Sequence, residues 1–122
     1  MILYKRYMLH AARRLEKLNK EHPCRELHGH TFYITLTVKS PLSPANDFVI
    51  DYFELDKVFN QLIMTKADHK YLNDVMDTNN PSNELFAIWI WNRLYSSLPG
   101  LYKVEVGESD STGVIYMGDE NE

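Results

Sequence analysis

Cys24, His28 and His30 fall within seven residues, Cys24-Arg25-Glu26-Leu27-His28-Gly29-His30, which hold the only cysteine and two of the five histidines. A β-strand places residues two apart on one face, so His28 and His30 aim both imidazoles at one point if the apolar run from Thr31 to Val38 continues that strand. Two convergent imidazoles are half of a tetrahedral metal site. Gly29 between them has no side chain and leaves the opposite face open to another backbone or a ligand. Cys24 lies just before the strand, in a polar stretch between Pro23 and Arg25 rather than in the apolar setting of a packing cysteine, and it can serve the same pocket. A second pair of titratable groups, Asp68-His69, stands in a polar segment, and Glu108 follows the apolar run that ends at Val106.

The elements that must position these residues follow from periodicity. Ile2 to Leu9 suits a strand, and Ala11 to Leu18 reads either as a turn of helix or as a strand end leading into a loop at His22-Pro23. In Thr31 to Val38, Phe32, Ile34, Leu36 and Val38 share one face and the threonines and Tyr33 the other, the clearest strand of the chain. Pro41, Pro44 and Asn46-Asp47 predict a loop, with Phe48-Val49-Ile50 as a hairpin-like return. From Glu54, Leu55, Val58, Phe59, Leu62 and Ile63 recur at helical spacing. Lys66 to Asn80 is a loop with one helical turn. A second helix opens at Pro81-Ser82-Asn83-Glu84, capped by Ser82 or Asn80, and ends at Pro99-Gly100. Tyr102 to Val106 and Val114 to Met117 are the last strands. The order ββααββ predicts an α+β domain, a four-stranded antiparallel sheet with two helices on one face, over residues 1–118, with an acidic tail over 119–122.

Composition narrows the function classes. A chain of 122 residues, 44% hydrophobic and 25% charged, fits one globular domain. Its formal net charge of −4 argues against nucleic acid or an anionic membrane as partner. One cysteine cannot form an intrachain disulfide, and no apolar run reaches membrane-spanning length, so a cytoplasmic protein is expected. Unpaired strand edges in so small a domain also favour a homo-oligomer.

Five motifs in register resemble a known family. Cys24-x3-His28-Gly29-His30, Val49-Ile50-Asp51-Tyr52-Phe53, Asp68-His69-x2-Leu72-Asn73, Pro81-Ser82-x-Glu84, and Glu108 with Ile115-Tyr116 behind it occur in the order of the 6-pyruvoyl-tetrahydropterin synthase family. The three-residue spacing between Cys24 and His28, with Asp51-Tyr52 and Leu72-Asn73, resembles its bacterial 6-carboxy-tetrahydropterin synthase branch, while Trp89-Ile90-Trp91 to Gly118 also resembles the pyruvoyl enzymes. The resemblance implies a tunnelling fold, a homohexamer with active sites between subunits, and a zinc ion held by three histidines. The implied substrate is 7,8-dihydroneopterin triphosphate. The bacterial branch makes 6-carboxy-tetrahydropterin, acetaldehyde and triphosphate from it, in the queuosine precursor pathway.

Carried over residue by residue, the resemblance makes Cys24 the proton-abstracting base and Asp68-His69 an oriented imidazole that relays protons to the other face of the substrate. It makes Glu108 the carboxylate that accepts paired N–H groups of the pterin edge, with Ser82 as a further polar contact. Some of Arg13, Arg14, Lys17 and Arg25 would then hold the triphosphate, if they are not simply a solvated face. His28 and His30 match two zinc ligands. The third does not match: without gaps, the family's Ala-Ala-His-Arg-Leu histidine falls on Arg13 of Ala11-Ala12-Arg13-Arg14-Leu15, and arginine cannot ligate a cation. His10, three residues earlier, is one candidate, though an odd offset on a regular strand turns it to the opposite face. His22 is another. A carboxylate-completed site, no metal at all, and a pterin- or purine-binding protein without the chemistry are the remaining alternatives.

Overall fold

The computed structural model describes residues 1–118, so the expected acidic tail lies outside the described residues. Strands β1 (Ile2–Arg13) and β2 (His28–Lys39) pair antiparallel along their whole length, from Ile2 opposite Lys39 to Arg13 opposite His28. Strands β3 (Leu101–Gly107) and β4 (Val114–Tyr116) complete a four-stranded antiparallel sheet in the order β1-β2-β3-β4. Alternation sends Leu9, Ala11, Phe32, Ile34, Leu36, Val38, Val104 and Val106 to one buried face. Helices α1 (Tyr52–Phe59) and α4 (Asn83–Leu94) bring Leu55, Phe59, Phe86, Ala87, Ile90 and Leu94 to the same core, as the ββααββ order predicts.

One segment resolves an open reading and another departs from expectation. Ala11-Ala12-Arg13 takes the strand-end alternative and not the helical turn, because it is hydrogen-bonded on both sides. Toward β2 it faces His30-Gly29-His28, and on its outer edge Ala12 N–H donates to the Lys70 carbonyl at 2.9 Å beside an Ala12–Tyr71 bridge. Such ladders override the high helix propensity of alanine, because propensity is a weak determinant beside tertiary pairing. Phe48-Val49-Ile50 forms no returning strand. Ser43 N–H donates to the Phe48 carbonyl to close a turn, Val49 and Ile50 pack on the core, and Asp51 caps α1 by accepting from Phe53 N–H at 2.8 Å.

The helix therefore starts before Glu54. It runs on through a π-helical segment (Asn60–Met64) into α2 (Thr65–Ala67), and α3 (Leu72–Val75) is the single turn expected within 66–80. Gly100 ends the approach to β3 at φ +87°, where an added Cβ would lie 2.8 Å from the Lys39 carbonyl, so only glycine suits that position.

Candidate active site

Strand pairing assembles the first cluster. Arg13 lies opposite His28 and Ala11 opposite His30, so the Arg13, His28 and His30 side chains share the core face at the open end of the β1–β2 ladder. Glu108, two residues past Val106, points to that face from β3. Just before it, Gly107 passes so close to the returning loop that a Cβ there would lie 2.8 Å from the Thr112 carbonyl. Arg13 is 4% exposed. Its Nη2 donates to Glu108 Oε1, its Nη1 to Asn83 Oδ1 at 2.7 Å and the Pro81 carbonyl at 3.3 Å, and its guanidinium lies 5.2 Å over the Phe32 ring. Burial pulls Arg13 below its usual value and Glu108 opposes this, with Cys24 and Glu84 adding attraction; the group stays a cation at any physiological pH.

The two imidazoles stand edge to face, 4.6 Å between centroids. His28 Nδ1–H donates to the Glu26 carbonyl at 2.7 Å, which leaves a lone pair on Nε2 of the neutral ring. His28 Nε2, His30 Nε2 and Arg13 Nε are buried without a hydrogen-bond partner. His30 Nε2 stands 3.8 Å from Glu108 Oε1. Burial, with help from Arg13 and His28, holds His30 below its usual value against the pull of Glu108, which favours a neutral ring.

A second cluster forms at the outer edge of β1. Asp68 Oδ2 accepts from His69 Nδ1–H at 2.8 Å and its Oδ1 from His10 N–H at 3.0 Å, while His69 N–H donates to the His10 carbonyl at 2.6 Å. Partial burial raises the Asp68 carboxyl, but the His10 and His69 hydrogen bonds outweigh it and hold the group below its usual range. His69 therefore presents Nε2, with its lone pair, outward. Its backbone sits at φ +59°, a left-handed conformation that costs a non-glycine residue of order 1 kcal/mol. The His10 and His69 rings are 5.8 Å apart and line a cavity of about 880 Å³ with Arg14, Leu27, Thr31 and Tyr71.

The sequence matches the model of the 6-pyruvoyl tetrahydropterin synthase family over residues 2–119. The chain belongs to that family. It is 32% identical over 121 residues to the 6-carboxy-5,6,7,8-tetrahydropterin synthase of Synechocystis, covering 95% of this chain and 92% of the relative. It is 36% identical to human 6-pyruvoyl tetrahydrobiopterin synthase, over 75% of this chain and 67% of that one. A dihydroneopterin monophosphate aldolase of Pyrococcus furiosus is 36% identical over 73% of this chain and 76% of its own. The 6-pyruvoyl tetrahydropterin synthase structure of Caenorhabditis elegans superposes with a TM-score of 0.85 over 98% of this chain at 24% identity, which shows the fold.

Within this pterin synthase family member, the expected site residues divide between the two clusters. His28, His30 and Glu108 come together, and Cys24, near enough to interact electrostatically with Arg13, lies in the 3-10 turn Pro23–Arg25. Asp68 and His69 meet His10 at the outer edge of β1, and the cavity that His69 lines takes in His30 from the first group. Ser82 accepts from the Leu85 N–H at 3.2 Å as the cap of α4, and its neighbour Asn83 is turned to Arg13. Arg25 Nη1 donates to the Glu16 and Leu18 carbonyls and so orders the loop before Cys24, bonds that leave its Nη2 and Nε unused.

Zinc is the group that family resemblance implies. The buried, unpaired Nε2 atoms of His28 and His30 fit two corners of such a site. The third corner does not fit. Arg13 occupies it, His10 points to the other face toward Thr31 Oγ1 at 3.0 Å, and His22 Nδ1 accepts from Cys24 N–H. Among the described residues no three histidine, cysteine or carboxylate side chains are placed to hold a metal. The sequence alone missed Asn83 and the Pro81 carbonyl as partners of Arg13; the parity that pairs Arg13 with His28 was the signal available.

Proposed function

We propose that this chain converts 7,8-dihydroneopterin triphosphate and water to 6-carboxy-5,6,7,8-tetrahydropterin, acetaldehyde and triphosphate, in the formation of a queuosine-type 7-deazapurine precursor. The observation that carries this reading is near full-length similarity to the Synechocystis 6-carboxy synthase, over 95% of this chain. In the proposed arrangement Glu108 receives the pterin edge. Arg13 takes one lone pair of Oε1, and a carboxylate has about four acceptor positions, so the others remain for ring N–H groups. Cys24 removes a proton from the side chain of the bound substrate on one side. Asp68-His69 works on the other side, supplied by a neighbouring copy within a homohexamer, since within one chain its hydrogen bonds go to His10 and not to Cys24 or Glu108. The protein is proposed to act in the cytoplasm.

Arg13 favours a second reading, a pterin- or purine-binding protein that keeps Glu108 and lacks the chemistry. Incubation of purified protein with 7,8-dihydroneopterin triphosphate separates the two. The synthase reading predicts equal amounts of acetaldehyde and 6-carboxy-tetrahydropterin, and loss of turnover by a factor of about 100 or more in Cys24→Ala with ligand binding retained. Release of a 6-pyruvoyl product would move the chain to the pyruvoyl reaction. Binding without any turnover would support the second reading.

A further inference from the structure

We propose that Arg13 takes the place of a metal ion in this chain: its guanidinium is the built-in cation of the site, and the pair His28 and His30 does not hold zinc while it is there. Three observations carry the inference. Arg13 and His28 are direct cross-strand partners and His30 is the diagonal neighbour, so a side chain at position 13 meets both imidazoles. The guanidinium is held on several sides, by Glu108 Oε1, Asn83 Oδ1, the Pro81 carbonyl and the Phe32 ring, and Arg13 is 4% exposed. The carboxylate nearest the imidazoles is the one that Arg13 already neutralises.

A divalent cation entering between His28 and His30 would find two neutral ligands, a fixed positive charge at close range and, as its nearest carboxylate, one already paired with that charge. Zinc sites with two protein imidazoles alone fall short of the three or four protein ligands on which tight binding depends. Arg13 instead supplies a positive field without coordination chemistry, and its Nε–H is buried without a hydrogen-bond partner. The inference concerns metal content and does not depend on which pterin reaction the chain performs.

The test compares zinc binding by the full-length wild type and Arg13→His, after chelator treatment and dialysis against micromolar zinc, read by elemental analysis. Wild type is expected to retain less than about one tenth of an equivalent and to show no change of Tm with zinc or chelator. Arg13→His places a third imidazole opposite His28 and is expected to take up close to one zinc per chain, with Tm raised by roughly 5 to 15 °C in excess zinc. Close to one zinc per wild-type chain, lost in the double change His28→Ala and His30→Ala, would overturn the proposal. So would a folded Arg13→His that binds no more zinc than wild type, since the guanidinium would then not be what keeps the metal out. If Arg13→His fails to fold, the wild-type measurement decides alone.

Discussion

Glu108 shows why a site residue cannot be judged by its ligand alone. Its carboxylate accepts from a guanidinium that is 5% exposed at the side chain, while Glu108 itself is 30% exposed. A pair of that kind contributes little compared with well-packed apolar groups, yet removal of one member strands the other in a site that water scarcely reaches. Glu108→Gln keeps the shape and one acceptor oxygen but replaces the other with a donor. For the ligand this leaves a ring N–H opposed, at a cost of about 1 to 3 kcal/mol, or roughly ten- to a hundredfold in affinity. For the protein it removes the charge that compensates Arg13, so we expect a lowered Tm together with weakened pterin binding. Calorimetric titration with neopterin beside a thermal melt checks both. Unchanged affinity in a folded variant would remove Glu108 as the anchor, and an unchanged Tm would show that Arg13 does not depend on it.

At the scale of elements, β1 is clasped to α1 by one carboxylate. Lys5 Nζ and Tyr7 Oη both donate to Asp56 Oδ1, at 2.5 and 2.7 Å, and Tyr7 stacks on Phe59 at 4.0 Å. The hydrogen bond from Lys5, then that from Tyr7, hold the Asp56 carboxyl below its usual value despite partial burial. The Tyr7 hydroxyl is pushed up, by burial first and then by Asp56. A carboxyl depressed on folding stabilises the protein above its unfolded pKa, about 4, and that contribution is lost as pH falls through the lower folded value. Asp56→Asn should therefore be less stable than wild type at pH 7, and the gap should close between about pH 5 and pH 2. Thermal melts across that range provide the check, and a gap that persists at pH 2 would assign the loss to packing rather than to charge.

The same scale shows what the sequence made legible. Strict alternation in Thr31 to Val38 identified β2 and its core face, and the run from Leu55 to Ile63 identified the first helix. Parity alone ruled His10 onto the face away from His28, as found. The end of β1 was not legible, because Ala11-Ala12-Arg13 becomes strand through contacts with residues 28–30 on one side and 70–71 on the other, all distant in sequence. Asn83 and Arg25 escaped for the same reason. Their partners are a residue 70 positions away and two loop carbonyls, and no local pattern encodes either.

At the scale of the molecule, the chemistry is divided. Arg13 and Glu108 meet on the core face of the sheet, with Cys24 in the turn before β2, and Asp68-His69 stands at the outer edge of β1 against His10. A homo-oligomer that sets the second cluster of one copy against the first cluster of the next completes the proposed site without any change inside either chain. Such a site can be reassembled from two defective proteins. Cys24→Ala and His69→Ala should each be inactive alone, and after mixing, dissociation and reassembly about a quarter of wild-type turnover of 7,8-dihydroneopterin triphosphate should return by random assortment. A mixture no more active than its two components, with the wild type active under the same treatment, would contradict a site shared between copies.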